Sequence, residues 1–251
     1  MTTFAPSVAD GTVDTAVAEG ALMNVIAVDR DDVSEFDDWY SREHFPERLS
    51  VTGFRNARRF VEHPDRGNDL VEYFSIYVTD SVDVLTSEEY LAALDSPTVR
   101  TTQAVGLFRE NERTVGNLRY RNGIGRTGQV LLGRITCDGR DRTALSRRIC
   151  EIAASAVVDG SAEGVAVYET DAVAASAKNN TAEGRAAGSP GLTDDAPGTI
   201  FLIVDQHGSV QPPTVHTLRT AVEGTGATVR WSTYRLVSEQ AAPRSVSTEQ
   251  D

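Results

Sequence analysis

From residue 22 onward, apolar positions switch between strand spacing and helical spacing in the order strand, helix, strand, strand, helix, strand. The first apolar run, 22–28, predicts a strand. A helix follows over about 34–45, where Ser34 and Asp37 supply the Ser-x-x-acid pattern of an N-terminal cap. Pro46 should end or kink this helix, because proline lacks an amide donor and clashes with the preceding turn. Residues 54–61 and 70–78 predict a strand hairpin around the polar turn 64–69. Val82, Leu85, Tyr90, Leu91 and Leu94 then recur at helical spacing, a further helical segment leads from Pro97 toward Phe108, and 113–120 supplies a fourth strand.

The order begins again after a Gly-rich stretch at 123–128. Residues 130–135, 142–156, 165–169, 200–204, 215–222 and 229–237 read as strand, helix, strand, strand, helix, strand. Two successive βαββαβ units are the ferredoxin-like arrangement, an antiparallel sheet with both helices on one face. Each unit leaves one apolar sheet face bare, and packing the two sheets together with the helices outside covers both. The expected fold is therefore α+β, with two tandem ferredoxin-like units forming one barrel within the chain. Residues 21–122 are the first unit, 123–128 a hinge and 129–238 the second unit, with disordered tails at 1–20 and 239–251. Within the second unit, 171–198 is rich in Ala, Gly, Ser, Asn and Asp. It reads as a mobile loop insertion, long for a compact domain, and able to serve as a lid.

Charge narrows the partners. The 251 residues carry 24 Lys and Arg against 37 Asp and Glu, and a net charge of −13 repels the phosphate backbone that nucleic-acid binders neutralise. Lys178 is the only lysine. No apolar run reaches the length of a bilayer span, so neither nucleic acid nor membrane is an expected partner. Two cysteines, Cys137 and Cys150, are too few for a disulfide framework, and residues 1–20 lack the features of a signal peptide; both fit a reducing cytoplasm. His63, His207 and His216 show no metal-ligand spacing, and no metal is expected.

Functional side chains are densest at 37–48, Asp-Asp-Trp-Tyr-Ser-Arg-Glu-His-Phe-Pro-Glu-Arg. At helical spacing Phe36, Tyr40 and His44 share a stripe with Trp39 beside it, and Arg48 extends the stripe only if the backbone stays helical past Pro46. A neutral imidazole on such a face can act as general acid or base; a core histidine bonded to a backbone carbonyl is the alternative. Arg58, Arg59, Arg113, Arg119, Arg134 and Arg230 lie in strand-like runs. Arg58 and Arg59 are adjacent and must point to opposite faces. An inward arginine near Tyr73, Tyr77 or Tyr120 can hold a carboxylate, phenolate or enolate, and a salt bridge to a protein carboxylate is the alternative. The string Gly-x-Gly-x-x-Gly at 123–128 joins strand to strand, whereas a dinucleotide fingerprint must open a helix.

At Trp39-Tyr40-x-x-Glu43-His44-x-Pro46-Glu47-Arg48-Leu49, followed by Gly53-Phe54-x-x-Ala57-x-Arg59-Phe60, the sequence resembles the dimeric α+β barrel superfamily, and within it the EthD-like members. The resemblance runs over about 22–120 and takes in Tyr77, Ser87-x-x-Tyr90-Leu91 and Arg113. It implies a small barrel with an apolar pocket beside the helix that carries Glu43 and His44. It also implies a small-molecule enzyme without a tightly bound cofactor, of monooxygenase, cyclase, isomerase or lyase type, with heme as a minor alternative. On this reading His44, Arg59 and Tyr40 are the catalytic candidates, and Trp39, Arg48, Phe54, Tyr77 and Arg113 the substrate-binding ones. A carrier of a hydrophobic ligand and a purely structural barrel are the competing readings. The helix of the second half, 142–150, has no Trp, Tyr or His, which suggests one functional pocket and one degenerate copy. The internal repeat makes a pseudo-dimer of one chain and leaves a further homodimer possible.

Overall fold

The computed structural model describes residues 19–63, 67, 69–123, 126–136, 141–158, 160, 162–187, 198–206 and 213–243. The strands are β1 (Gly20–Asp29), β2 (Phe54–Glu62), β3 (Leu70–Thr79), β4 (Phe108–Gly123), β5 (Gln129–Thr136), β6 (Gly164–Thr170), β7 (Thr199–Gln206) and β8 (Thr228–Ala241). They form one closed antiparallel barrel in the order β1-β3-β2-β8-β5-β7-β6-β4. β4-β1-β3-β2 and β8-β5-β7-β6 are the same order of first to fourth strand in each half, and the seams β2–β8 and β4–β6 join the halves. Closure gives every strand two neighbours. The route to a dimer by pairing of outer strand edges is thereby removed.

Strand alternation sorts side chains into an inside and an outside. Met23 and Val25 of β1, Phe74 and Ile76 of β3, and Phe201 and Ile203 of β7 meet inside the barrel with Leu132 and Tyr234. These side chains fill most of the interior, and at one end Arg58, Ile76, Val78, Tyr168, Ile203 and Asp205 line a cavity of about 90 Å³. On the outer face of the first half, Leu22, Ile26, Tyr73 and Tyr77 pack against Phe36, Trp39, Tyr40 and Phe45 of the helices. The residues singled out at 37–48 therefore meet between sheet and helices. Arg58 and Arg59 do face opposite ways: Arg58 meets Asp205 of β7 at 2.9 Å, whereas Arg59 reaches Asp37 on the helix side at 2.6 Å.

The helices of the first half are α1 (Val33–Trp39), a π-helical turn (Tyr40–His44), α2 (Phe45–Leu49), α3 (Glu88–Asp95) and α4 (Val99–Val105). The expected break at Pro46 does not occur. Pro46 stands in the first turn of α2, where a missing amide is tolerated, and the π turn before it widens the ladder that proline would otherwise obstruct. The Ser34 cap is also absent: α1 begins at Val33 and no side chain caps it. Gly53, at φ 90°, makes the turn into β2.

In the second half, α5 (Arg142–Val158) and α8 (Pro213–Glu223) flank α6 (Ala172–Ser176), a 3-10 turn (Ala177–Asn180) and α7 (Ala182–Ala186). The loop expected over 171–198 is thus folded as far as residue 187. Asp171 caps α6 through the Ala174 amide and Thr181 caps α7 through the Gly184 amide, so local bonds stabilise helices too short to persist alone. Residues 188–197 lie outside the described residues, as do the tails 1–18 and 244–251, residues 124–125 of the hinge, the turn residues 64–66 and 68, and His207 and Cys137. β8 continues to Ala241, opposite Asn56, beyond the tail boundary expected at 239. No helix among the described residues is long and apolar enough to cross a membrane.

Candidate active site

A π turn advances five residues where an α turn advances four, and this sets the neighbours of His44. Its ring lies 4.6 Å from Trp39, five residues back, and 4.9 Å from Tyr40, with Tyr77 edge-on at 6.0 Å. The imidazole is 7% exposed and its Nδ1 has no hydrogen-bond partner. Burial, followed by the Arg48 guanidinium, lowers its pKa to about 3, so the ring is neutral at neutral pH. Nδ1 meets no backbone carbonyl.

Because α2 stays helical, Arg48 turns inward and is 1% exposed. Its Nη2 donates to Glu183 of α7 at 2.5 Å, while Nε and Nη1 are buried and unpaired. Lys178 Nζ lies 3.3 Å from the same Glu183. Burial lowers the Lys178 pKa to about 8 against the raising effect of Glu183; Glu183 is held at about 2 by Arg48 and Lys178 against its own burial. Gly184 permits this packing, since a Cβ there would collide with the Lys178 carbonyl oxygen. The second half therefore lays two charged side chains over the pocket of the first.

Trp39, Tyr40, His44, Arg48 and Arg113 line one cavity, together with Asn24, Tyr90, Asn111, Lys178 and Glu183. Its volume is about 20 Å³, room for a single water. Tyr40 exchanges a 2.6 Å hydrogen bond with Ser75, and burial raises its pKa. Arg113 donates to the Ala175 carbonyl and the Tyr90 hydroxyl. Trp39 Nε1 donates to Thr101, which in turn donates to Glu43, so Glu43 fixes the indole and does not face His44. Around the imidazole there is no room for a porphyrin. Among the described residues no group of three or more His, Cys, Asp or Glu side chains is placed to hold a metal ion.

Three sequence candidates fall outside the lining. Arg59 is held by Asp37 and Ser41, with its guanidinium 4.9 Å from the Tyr40 ring and 5.2 Å from that of Tyr73; it braces Tyr40 and does not reach the cavity. Phe54 packs on Tyr77 and Tyr90 in the core. The Tyr77 hydroxyl is buried without a hydrogen-bond partner, and burial raises its pKa well above the usual tyrosine value. Tyr77→Phe is therefore expected to keep or raise stability by about 1 kcal/mol in urea unfolding, because it deletes an unsatisfied buried group. A loss of stability would reveal a polar partner for that hydroxyl.

No known family model matches the sequence, and no curated protein matches it. Solved structures do. An anthrone oxidase-like protein superposes with a TM-score of 0.58 at 10% identity, covering 93% of this chain and 97% of that one. The chain shares that protein's overall fold, here a closed eight-stranded antiparallel barrel with helices outside. Proposed monooxygenases from Lactobacillus acidophilus (TM-score 0.52, 7% identity, 90% of this chain and 97% of that one) and Fusobacterium nucleatum subsp. nucleatum (0.51, 6%, 90% and 95%) share it. At these identities the likeness is one of fold.

Asn24, Lys178 and Glu183 escaped the sequence reading. Asn24 had a signal, a lone amide within the apolar run 22–28, and Lys178 had another as the only lysine in the chain. Glu183 had none.

Proposed function

We propose that the protein is a small-molecule enzyme that uses acid/base chemistry in the pocket under α6 and α7, without a tightly bound cofactor. The observation that carries this reading is that two side chains lining one cavity keep unsatisfied buried atoms: His44 Nδ1, and Nε and Nη1 of Arg48. Buried polar atoms are nearly always paired, and orphans on two walls of one cavity support a polar ligand. His44 is the proton acceptor, Arg48 the group that stabilises a developing oxyanion, Tyr40 and Asn24 the hydrogen-bonding wall, and Trp39 the apolar wall.

The neighbours in fold support oxygenated aromatics as the first substrates to try, by oxidation, cyclisation, isomerisation or a lyase step. The matching strand orders of the two halves support tandem duplication of a ferredoxin-like, EthD-like unit, with residues 21–122 and 129–238 as the copies and only the first keeping a polar pocket. The pairing of the two halves stands in place of the dimer.

Turnover tests the reading. Purified protein incubated with anthrone, quinols, phenolic polyketide analogues and lactones is expected to convert at least one. His44→Ala should lower that rate by about 10²–10⁴-fold, the usual contribution of a positioned acid or base. Undiminished turnover in the variant would remove His44 as the acid or base, and saturable binding with no turnover of any compound would replace the enzyme with a carrier.

A further inference from the structure

The cavity beside His44 is short of negative charge. Arg48, Arg113 and Lys178 line it, and Glu183 is the one carboxylate that lines it with them. Glu183 takes Nη2 of Arg48 and the Lys178 ammonium; Nε and Nη1 of Arg48 stay buried and unpaired. The next carboxylate, Glu47, is 3.8 Å from Arg48 Nη2 and does not line the cavity. Arg113 bonds only neutral acceptors in the Ala175 carbonyl and the Tyr90 hydroxyl. In a chain of net charge −13, a buried pocket with excess positive charge is out of character.

We infer that this pocket is built for an organic carboxylate, and that Glu183 occupies the ligand's carboxylate position while the pocket is empty. The proposal rests on the enzymatic reading above and names the substrate class of the same site. In Glu183's place a ligand carboxylate accepts from Nη2 and from one of the unpaired nitrogens beside it, Nε on one edge of the guanidinium or Nη1 on the other, with the Lys178 ammonium alongside. Trp39, Tyr40, Leu22, Ile26 and Val105 form the rest of the wall, so the body of the ligand is apolar or aromatic.

A ligand of that size does not fit in about 20 Å³, so α6 and α7 must lift to admit it. Their polar ties to the first half include Asp95 to the Ala182 amide, Asn117 to Asp171, and Arg113 to the Ala175 carbonyl. The buried tie is Arg48 to Glu183, and an incoming carboxylate replaces it like for like.

Benzoate and its uncharged counterpart benzamide, titrated by calorimetry into the full-length chain, separate the alternatives. Benzoate is expected to bind saturably and benzamide at least about tenfold more weakly, as charge-assisted bonding to Arg48 requires. Glu183→Gln removes the resident anion while keeping its shape, and should tighten benzoate by about tenfold or more. Lys178→Met should weaken it by a similar factor. If Glu183 were only a structural brace, Glu183→Gln would leave benzoate affinity unchanged or lower it. That result overturns the proposal, as does equal binding of benzamide or an absence of saturable benzoate binding. Should Glu183→Gln not fold, the benzoate-to-benzamide ratio in wild type and Lys178→Met decides. Turnover that requires His44 but prefers uncharged substrates would sink the carboxylate site alone. Benzoate binding with no turnover of any compound would sink the enzymatic reading alone.

Discussion

Acidification from pH 6.5 to about pH 3 is expected to remove roughly 5 kcal/mol of folding stability through His44, at about 1.4 kcal/mol per pH unit. The sign follows from proton counting. Across that window the unfolded imidazole is protonated and the folded one is not, so the unfolded state binds the extra proton and gains as pH falls. The contribution is complete above pH 6.5 and exhausted below about pH 3. Glu183 adds a loss of the same sign lower down: its stabilising charge is fully present above 4.5 and disappears as pH falls toward about 2. Against a typical domain stability of about 5–15 kcal/mol, the two together should remove a large share of the stability by about pH 3. Urea midpoints measured from pH 7 to pH 3 for wild type and His44→Phe provide the check. The variant should show the flatter profile; parallel profiles would mean that the folded imidazole is protonated.

Glu183→Ala is expected to destabilise the chain by about 3–5 kcal/mol, the usual loss when one member of a buried ion pair is removed. The effect comes from what remains: Arg48, 1% exposed, and Lys178, 8% exposed, both lose the carboxylate that neutralises them. The double variant Arg48→Met with Glu183→Leu should recover the part of that loss due to Arg48, because an apolar pair of similar volume carries no desolvation penalty, while Lys178 stays without its carboxylate. Denaturant unfolding of single and double variants measures this. Equal losses in both would show that packing and not charge holds α7 in place.

The sequence disclosed the barrel because eight strands of period two and helices of period 3.6 leave separate marks, and residues 22–28 and 200–204 are apolar enough to be read unaided. It disclosed His44, Tyr40 and Trp39 as neighbours but not their geometry, because a π turn has no residue signature and brings His44 onto Trp39 at a spacing of five. Arg48 hung on Pro46, whose effect depends on that same turn. Alternation set Arg58 and Arg59 on opposite faces without saying which meets the helices, and the capture of Arg59 by Asp37 depends on where α1 begins, which no side-chain cap marks. The partner of Arg48 was beyond local reading: 135 residues separate it from Glu183, on a five-residue helix held by a Thr181 cap and too short to show a period.

The barrel closes through its last strand. β8, the last barrel strand in chain order, pairs with β2 on one side and β5 on the other, so the ring cannot be completed before it is made. During synthesis at about 5–20 residues per second, the first half stands for on the order of ten seconds with β2 and β4 unpaired at its edges and the Met23, Phe74 and Ile76 face bare. Whatever guards nascent chains from sticking together has this interval to cover, and a ribosome that stalls between β4 and β8 would present an aggregation-prone half barrel.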